Sequence, residues 1–383
     1  MISRLFFLMF LLFLPGSALQ TSTQPQPSKK EPDAQASDDR GLLLGMYFPN
    51  SATWEMLRNA GLESKWVSDI SPKPHGKYLT FWIFRQKGEV KIRSMEGLLV
   101  PRKNGFWRVG TQIVKSGDSE DADFDEQFWA APADKREPQP LKVDREINGQ
   151  STSLITYAGP EYISYLSHWQ GGALLWEYQY THVSPLDNLT RKLSIGQVLG
   201  PQASAVYKGL SQSLDHMNDE PEPDEGGCTC CTGLDSEWGL IHVGDQWQAY
   251  ARFHEGTNSS CSQRWQDEVL RTSIPHSVWS SGRVDEPWDA VRKKLESVLN
   301  SEKGSVQHLF LSPKRDFAVS VSTSGLVVFG VRDKIQFSIL KKQNFAAACI
   351  PVSEQWSMGR FVVAWDAEML KQKPAAIPAE AGR

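Results

Sequence analysis

Three of the chain's five cysteines fall within four positions, Cys228, Cys230 and Cys231 in the stretch GGCTCCTG, the densest cluster of reactive side chains in the sequence. Thiols so spaced offer three chemistries. As a soft-metal set, Cys228, Cys230 and Cys231 with His254 or His216 would suit zinc or copper(I), since both favour thiolate and imidazole ligands. As a redox switch, the adjacent Cys230 and Cys231 would close a strained, easily reduced ring. As a staple, Cys231 would bond Cys261 across the open end of a hairpin. The stretch WGLIHVGDQWQAYARFHE turns at Gly244-Asp245, and antiparallel pairing is expected to bring Glu237 near Glu255, with Cys231 six residues before the first and Cys261 six after the second. Closing such a loop restricts the unfolded chain by about 3–4 kcal/mol, and the staple is the reading the spacing favours. Cys228 and Cys230 then pair in a short ring or stay reactive, and Cys349, within AAACIPV, is expected as a buried thiol.

Other candidate chemistry is thinner. The sequence carries no Gly-x-Ser-x-Gly elbow, dinucleotide glycine fingerprint or phosphate loop, and His254-Glu255 lacks a second zinc-binding histidine downstream. Asp121, Asp123 and Asp125 alternate as at the start of a calcium loop, but Glu126 stands where the turn needs glycine and Pro132 where the bidentate glutamate belongs. That acidic run and the one at 215–225 read as solvated loops. The chain holds 14 tryptophans, enough to weigh a sugar-stacking surface. Trp82, Trp107, Trp176, Trp247 and Trp365 sit in strand patterns and are expected to pack across strands. Trp169, beside Gln170-Gly171-Gly172, is the candidate ligand-binding aromatic.

The elements that must position these residues follow an export signature. Arg4, the apolar run 5–14, Pro15 and small residues to Ala18 read as a signal peptide at 1–18, too short to span a bilayer. No later segment is long and apolar enough to suggest a transmembrane span, so a secreted or periplasmic location is expected. Residues 19–40 are polar and proline-rich and read as a disordered linker, with a β-rich globular domain at 41–370 and a disordered tail at 371–383. Loss of Arg4 leaves 40 basic against 45 acidic residues, a balance that argues against a nucleic-acid partner.

Periodicity is clearest at 308–340, where apolar runs 309–311, 317–321, 326–331 and 335–340 alternate with turn-forming connectors, giving a four-stranded antiparallel meander. Echoes of strand, turn and aromatic-led strand begin at 97, 154, 238 and 349. LSPKRDFAVSVS resembles the strand-turn-strand of WD-like periplasmic β-propeller repeats, whose turn commonly reads Ser-Pro-Asp-Gly; Lys314 and Arg315 stand here for Asp-Gly. The resemblance implies a fold and no activity. The expected architecture is mainly β, antiparallel meanders in a β-propeller of five to seven blades with a few inserted helices. Those helices are expected at 284–300, capped by Asp285 with Trp288, Val291, Leu295, Val298 and Leu299 on its apolar stripe, at 195–217 with a break at Gly200-Pro201, and at 52–66. The functional expectation is an exported, non-catalytic protein that binds a protein or carbohydrate partner and needs no cofactor. The alternative is an exported hydrolase, or a metal or redox protein using the cysteine cluster.

Overall fold

The structure is a computed structural model that describes residues 39–49, 76–115, 123–134, 149–171, 176–217, 237–253, 268–274, 286–300, 305–322, 324–332, 336–345 and 349–375. Its described strands form four sheets. The first holds β1 (Arg40–Pro49), β2 (Gly76–Gln86) and β3 (Glu89–Glu96). A six-stranded sheet follows: β4 (Leu98–Arg102), β5 (Gly105–Lys115), β6 (Phe124–Pro132), β7 (Gln150–Ala158), β8 (Tyr162–Gly171) and β9 (Trp176–Pro185). After α1 (Ile195–Leu199) and α2 (Ala203–Met217) come β10 (Trp238–Val243), β11 (Gln246–Phe253) and β12 (Glu268–Ser273). Helix α3 (Trp288–Leu299) leads into β13 (Val306–Leu311), β14 (Phe317–Ser322), β15 (Gly325–Arg332) and β16 (Gln336–Asn344). Finally β17 (Ile350–Met358) returns to pair with β1, and α4 (Arg360–Met369) follows.

The return of β17 to β1 joins the first and last described strands in one sheet. Strands β7, β10 and β17 touch one another, β10 also touches β13, and β17 touches β4, so the four sheets meet as blades of a β-propeller. Four is fewer than the five to seven expected, and the reason is local. The meanders β4-β5-β6 and β7-β8-β9 are fused into one sheet by a parallel pairing of Phe124 with Gln150 and Asp125 with Ser151.

Strand β1, RGLLLGMYFP, is buried along its whole length between β2 and β17, which explains why it lacks the alternation of a half-exposed strand. Gly41 lies against the Trp82 indole, where any Cβ would collide with the ring. Trp82 is fully buried, stacked on Phe84 at 5.3 Å and tilted against Trp365 at 5.5 Å. β1 begins at Arg40, at the end of the stretch read as a linker, and residues 371–375 continue along β3, where the Glu96 and Ala375 amides donate to Lys373 and Ser94 carbonyls.

The expected meander is present as β13-β14-β15-β16, antiparallel throughout. At its first turn Arg315 adopts φ 57°, a left-handed conformation that glycine takes more readily, and its amide donates to the Ser312 carbonyl at 2.8 Å. The Ser312 hydroxyl donates to Asp316 at 2.9 Å and accepts from the Asp316 and Phe317 amides, both at 3.2 Å. Arg40 and Arg85, from β1 and β2, clasp the Asp316 carboxylate and tie this turn to the first sheet.

The pairs beginning at 97, 154 and 238 are hairpins as expected, but the one at 349 is not. Its second half is α4: Val362 and Met369 are buried and Trp365 half-buried, a helical spacing that packs over Trp82, Phe84 and Leu99. Trp365 therefore sits on a helix and not in a strand. Helix α3 is capped by the backbone of Pro287 without a side-chain hydrogen bond, in place of the expected Asp285, and Val298 of its expected stripe is exposed while Glu296 is buried. The break at 200–202 is a short 3-10 turn between α1 and α2. Residues 52–66 lie outside the described residues.

Candidate functional site

One edge of the six-stranded sheet gathers the ends of several strands. β4, β6, β7 and β9 all finish there, because the antiparallel and parallel registers run these four strands in the same direction. The β4–β5 turn is tight: Arg102 pairs with Gly105, whose φ of 120° lets Lys103 and Asn104 form the tip. The Ala133 amide donates to the Phe106 carbonyl at 2.7 Å, fixing the exit of β6 beside the hairpin. The Leu186 amide donates to the Glu161 carbonyl at 2.8 Å, fixing the exit of β9 beside the β7–β8 turn.

Between these connections lies a groove of about 780 Å³, a size that suits a small ligand or a short segment of a larger one. Phe106 and Trp107 are its aromatic lining, Pro132 and Pro160 its other apolar patches. Charge comes from Asp134, Glu161 and Asp187 on the loops, Glu368 on α4, and Arg102 and Lys103 on the hairpin. The Arg102 guanidinium sits over the Trp107 ring at 4.7 Å and donates to the Asp187 carboxylate at 3.1 Å. Glu368 is held from its own helix end by Lys371 at 2.8 Å and Gln372 at 3.1 Å. Beside Glu161, burial and then that carboxylate push the Tyr162 phenol up.

A second cluster of ionisable groups, with His242 buried and His308 and Glu354 partly buried, lies where β10, β11, β13 and β17 converge. His242 and His308 approach Nδ1 to Nδ1 at 3.1 Å, a contact in which one neutral ring donates and the other accepts. A backbone bond from the Leu309 amide to the Gly244 carbonyl at 2.9 Å joins β13 to the β10–β11 turn. Phe310 stacks on His242 at 4.4 Å and Trp247 meets its edge at 5.1 Å. Trp247 also donates its indole N–H to Glu354 at 3.0 Å, and Trp356 donates to the other carboxylate oxygen at 2.8 Å. Burial pushes Glu354 up to about 7 despite these two donors, and holds His308 down at about 4. His242 is pushed down by burial and then by His308. The two histidines are therefore held neutral and bonded to each other, and Glu354 is driven toward its neutral form between two indole donors.

Of the residues singled out in the sequence, Cys228, Cys230, Cys231, His254 and Cys261 lie outside the described residues, so the metal set and the Cys231–Cys261 bond do too. His216 is in the last turn of α2. The hairpin at 238–253 has a tighter register than expected, Trp238 with Ala251 and Val243 with Gln246, because the turn holds only Gly244 and Asp245; Glu255 lies outside the described residues. Cys349 is a buried free thiol, pushed up by burial. Trp169 lies toward the far end of β8, opposite Ser151 and Tyr178, about 23 Å along the strand from Tyr162 and the groove. Trp107, expected only as a packing residue, lines the groove instead. Its signal was the run PRKNGFW, a charged turn followed at once by two aromatics. Among the described residues no three histidine, cysteine or acidic side chains gather as a metal would require, and no helix is long and apolar enough to cross a membrane. Comparison with protein-family models, with curated proteins and with solved structures finds no match for this chain.

Proposed function

We propose that the chain is an exported, non-catalytic β-protein that binds a protein or glycan partner through the groove at the β4, β6, β7 and β9 edge. The observation that carries the proposal is convergence: five separate segments bring two aromatics, two basic side chains and four carboxylates to one open place. Loops held by a rigid sheet are where such recognition is built, and a partly polar, aromatic-lined concavity is the form it takes. Export is supported by the N-terminal run at 1–18, and the extracytoplasmic compartment suits the Cys231–Cys261 bond. The test is a screen of the full exported chain and its Trp107→Ala variant against immobilised glycans and peptides. Binding by the parent that the variant loses supports the proposal, and equal binding by both overturns it.

A second reading, an exported hydrolase, is favoured by the same carboxylates, since glycoside hydrolysis needs only two acids facing one bond. Release of reducing ends from oligosaccharides by the parent, abolished in Glu161→Gln or Asp187→Asn, would establish it. The metal or redox reading stands on the cysteine cluster, and metal analysis with an unreduced peptide map decides it.

A further inference from the structure

Deepening the groove-binding proposal, on which it rests, we infer that the occupant of the groove is an extended peptide segment carrying arginine or lysine, and that Arg102 holds the place of its cationic side chain. Arg102 shows the chemistry in place. Its guanidinium lies over the Trp107 face at 4.7 Å with one nitrogen 3.1 Å from the Asp187 carboxylate, so an aromatic face and an acid are already set at the spacing a guanidinium takes. Only about a fifth of the Arg102 side chain is exposed against 56% for Asp187, so the arginine covers the ring while the acid stays open to water. Asp134, Glu161 and Glu368 add negative charge along the groove, against Lys103 as the other basic lining residue among those described. Charge complementarity therefore selects a basic partner. Pro132, Pro160 and Phe106 supply the apolar stretches between charges that an extended backbone crosses, and the groove volume accommodates a few residues of such a segment. A neutral glycan fits less well, because the Trp107 face on which a sugar would stack is the one Arg102 covers.

The distinctive consequence is competition. Removing Arg102 vacates the aromatic face and frees Asp187, so Arg102→Ala binds a cationic peptide more tightly than the parent although it removes a polar groove residue. The experiment titrates the full chain with hexa-arginine, with hexa-glutamate and with a hexamer of N-acetylglucosamine, by calorimetry at low and at high salt. Hexa-arginine is expected to bind, with affinity falling as salt rises. Arg102→Ala is expected to tighten it several-fold, and Trp107→Ala and Glu161→Gln each to weaken it, the first by about tenfold. Thermal melts of each variant separate loss of binding from loss of fold, and Arg102→Gln serves where the alanine variant melts early. Hexa-arginine binding that is indifferent to all three substitutions is adsorption to an acidic protein and overturns the inference. Binding of the sugar hexamer without hexa-arginine overturns it while leaving groove binding intact. Binding of no probe by the parent overturns the inference, and groove binding then stands or falls on the wider screen.

Discussion

Glu354 and Asp187 are each tied to tryptophan, the first directly and the second through an arginine. Glu354 is partly buried and accepts both of its described hydrogen bonds from indole nitrogens, those of Trp247 and Trp356. Asp187 is more than half exposed and holds a guanidinium that lies across the face of Trp107. In the first place partial burial makes a lone charge costly, and the carboxyl is driven toward its neutral form. In the second the charge is screened and kept, the ion pair adds little to stability, and the same groups remain available to an outside partner. The difference separates residues that hold the blades together from residues that can recognise something.

Substitutions at the two places should therefore differ in kind. Trp247→Ala, which empties a buried site and removes one of the two donors to Glu354 and the ring against His242, is expected to lower unfolding free energy by about 3–5 kcal/mol in urea titration. The pH dependence of stability should come next in size. Between pH 4.5 and 7 folded Glu354 retains a proton that the unfolded chain releases, so its contribution is complete below 4.5 and lost as pH rises through 7. His308 runs the other way, contributing fully above 6.5 and losing that contribution as pH falls through 4. Glu354→Gln, fixed neutral, should then show stability rising with pH more steeply than the parent across 4.5–7, by on the order of 3 kcal/mol, while His308→Leu flattens the acid side. Trp247→Phe keeps the ring and removes one donor, and should cost about 1–2 kcal/mol. Asp187→Asn in the groove should change stability by less than about 1 kcal/mol while altering what binds there. A loss at Asp187 as large as that at Trp247 would erase the distinction.

How much of this was legible in the sequence follows from the range of the interactions. The meander at 306–344 was, because each strand is a short apolar or alternating run bounded by its own turn and pairs with its neighbour in sequence. β1 was not, since burial on both faces removes alternation and its partner β17 lies at the far end of the chain. FVVAW in α4 reads as a strand by composition; only the spacing of Val362, Trp365 and Met369 betrays the helix. The fused six-stranded sheet, which reduces the blades to four, depends on a pairing two residues long that carries no sequence mark. The groove was half legible: the PRKNGFW hairpin could be read, but Glu161, Asp187 and Glu368 reach it only through the fold. The His242–His308 contact joins residues 66 positions apart and carries no motif.

The central claim, that the open groove recognises a partner while the buried seam supports the fold, is tested most directly by following indole resonances during one titration. The nitrogen-labelled chain is titrated with hexa-arginine at near-neutral pH, with the Trp107 and Trp247 indole signals assigned from their phenylalanine variants. The expected result is a saturating shift of the Trp107 signal with Trp247 unmoved. A shift centred on Trp247, or saturable binding that leaves Trp107 unmoved, would contradict it.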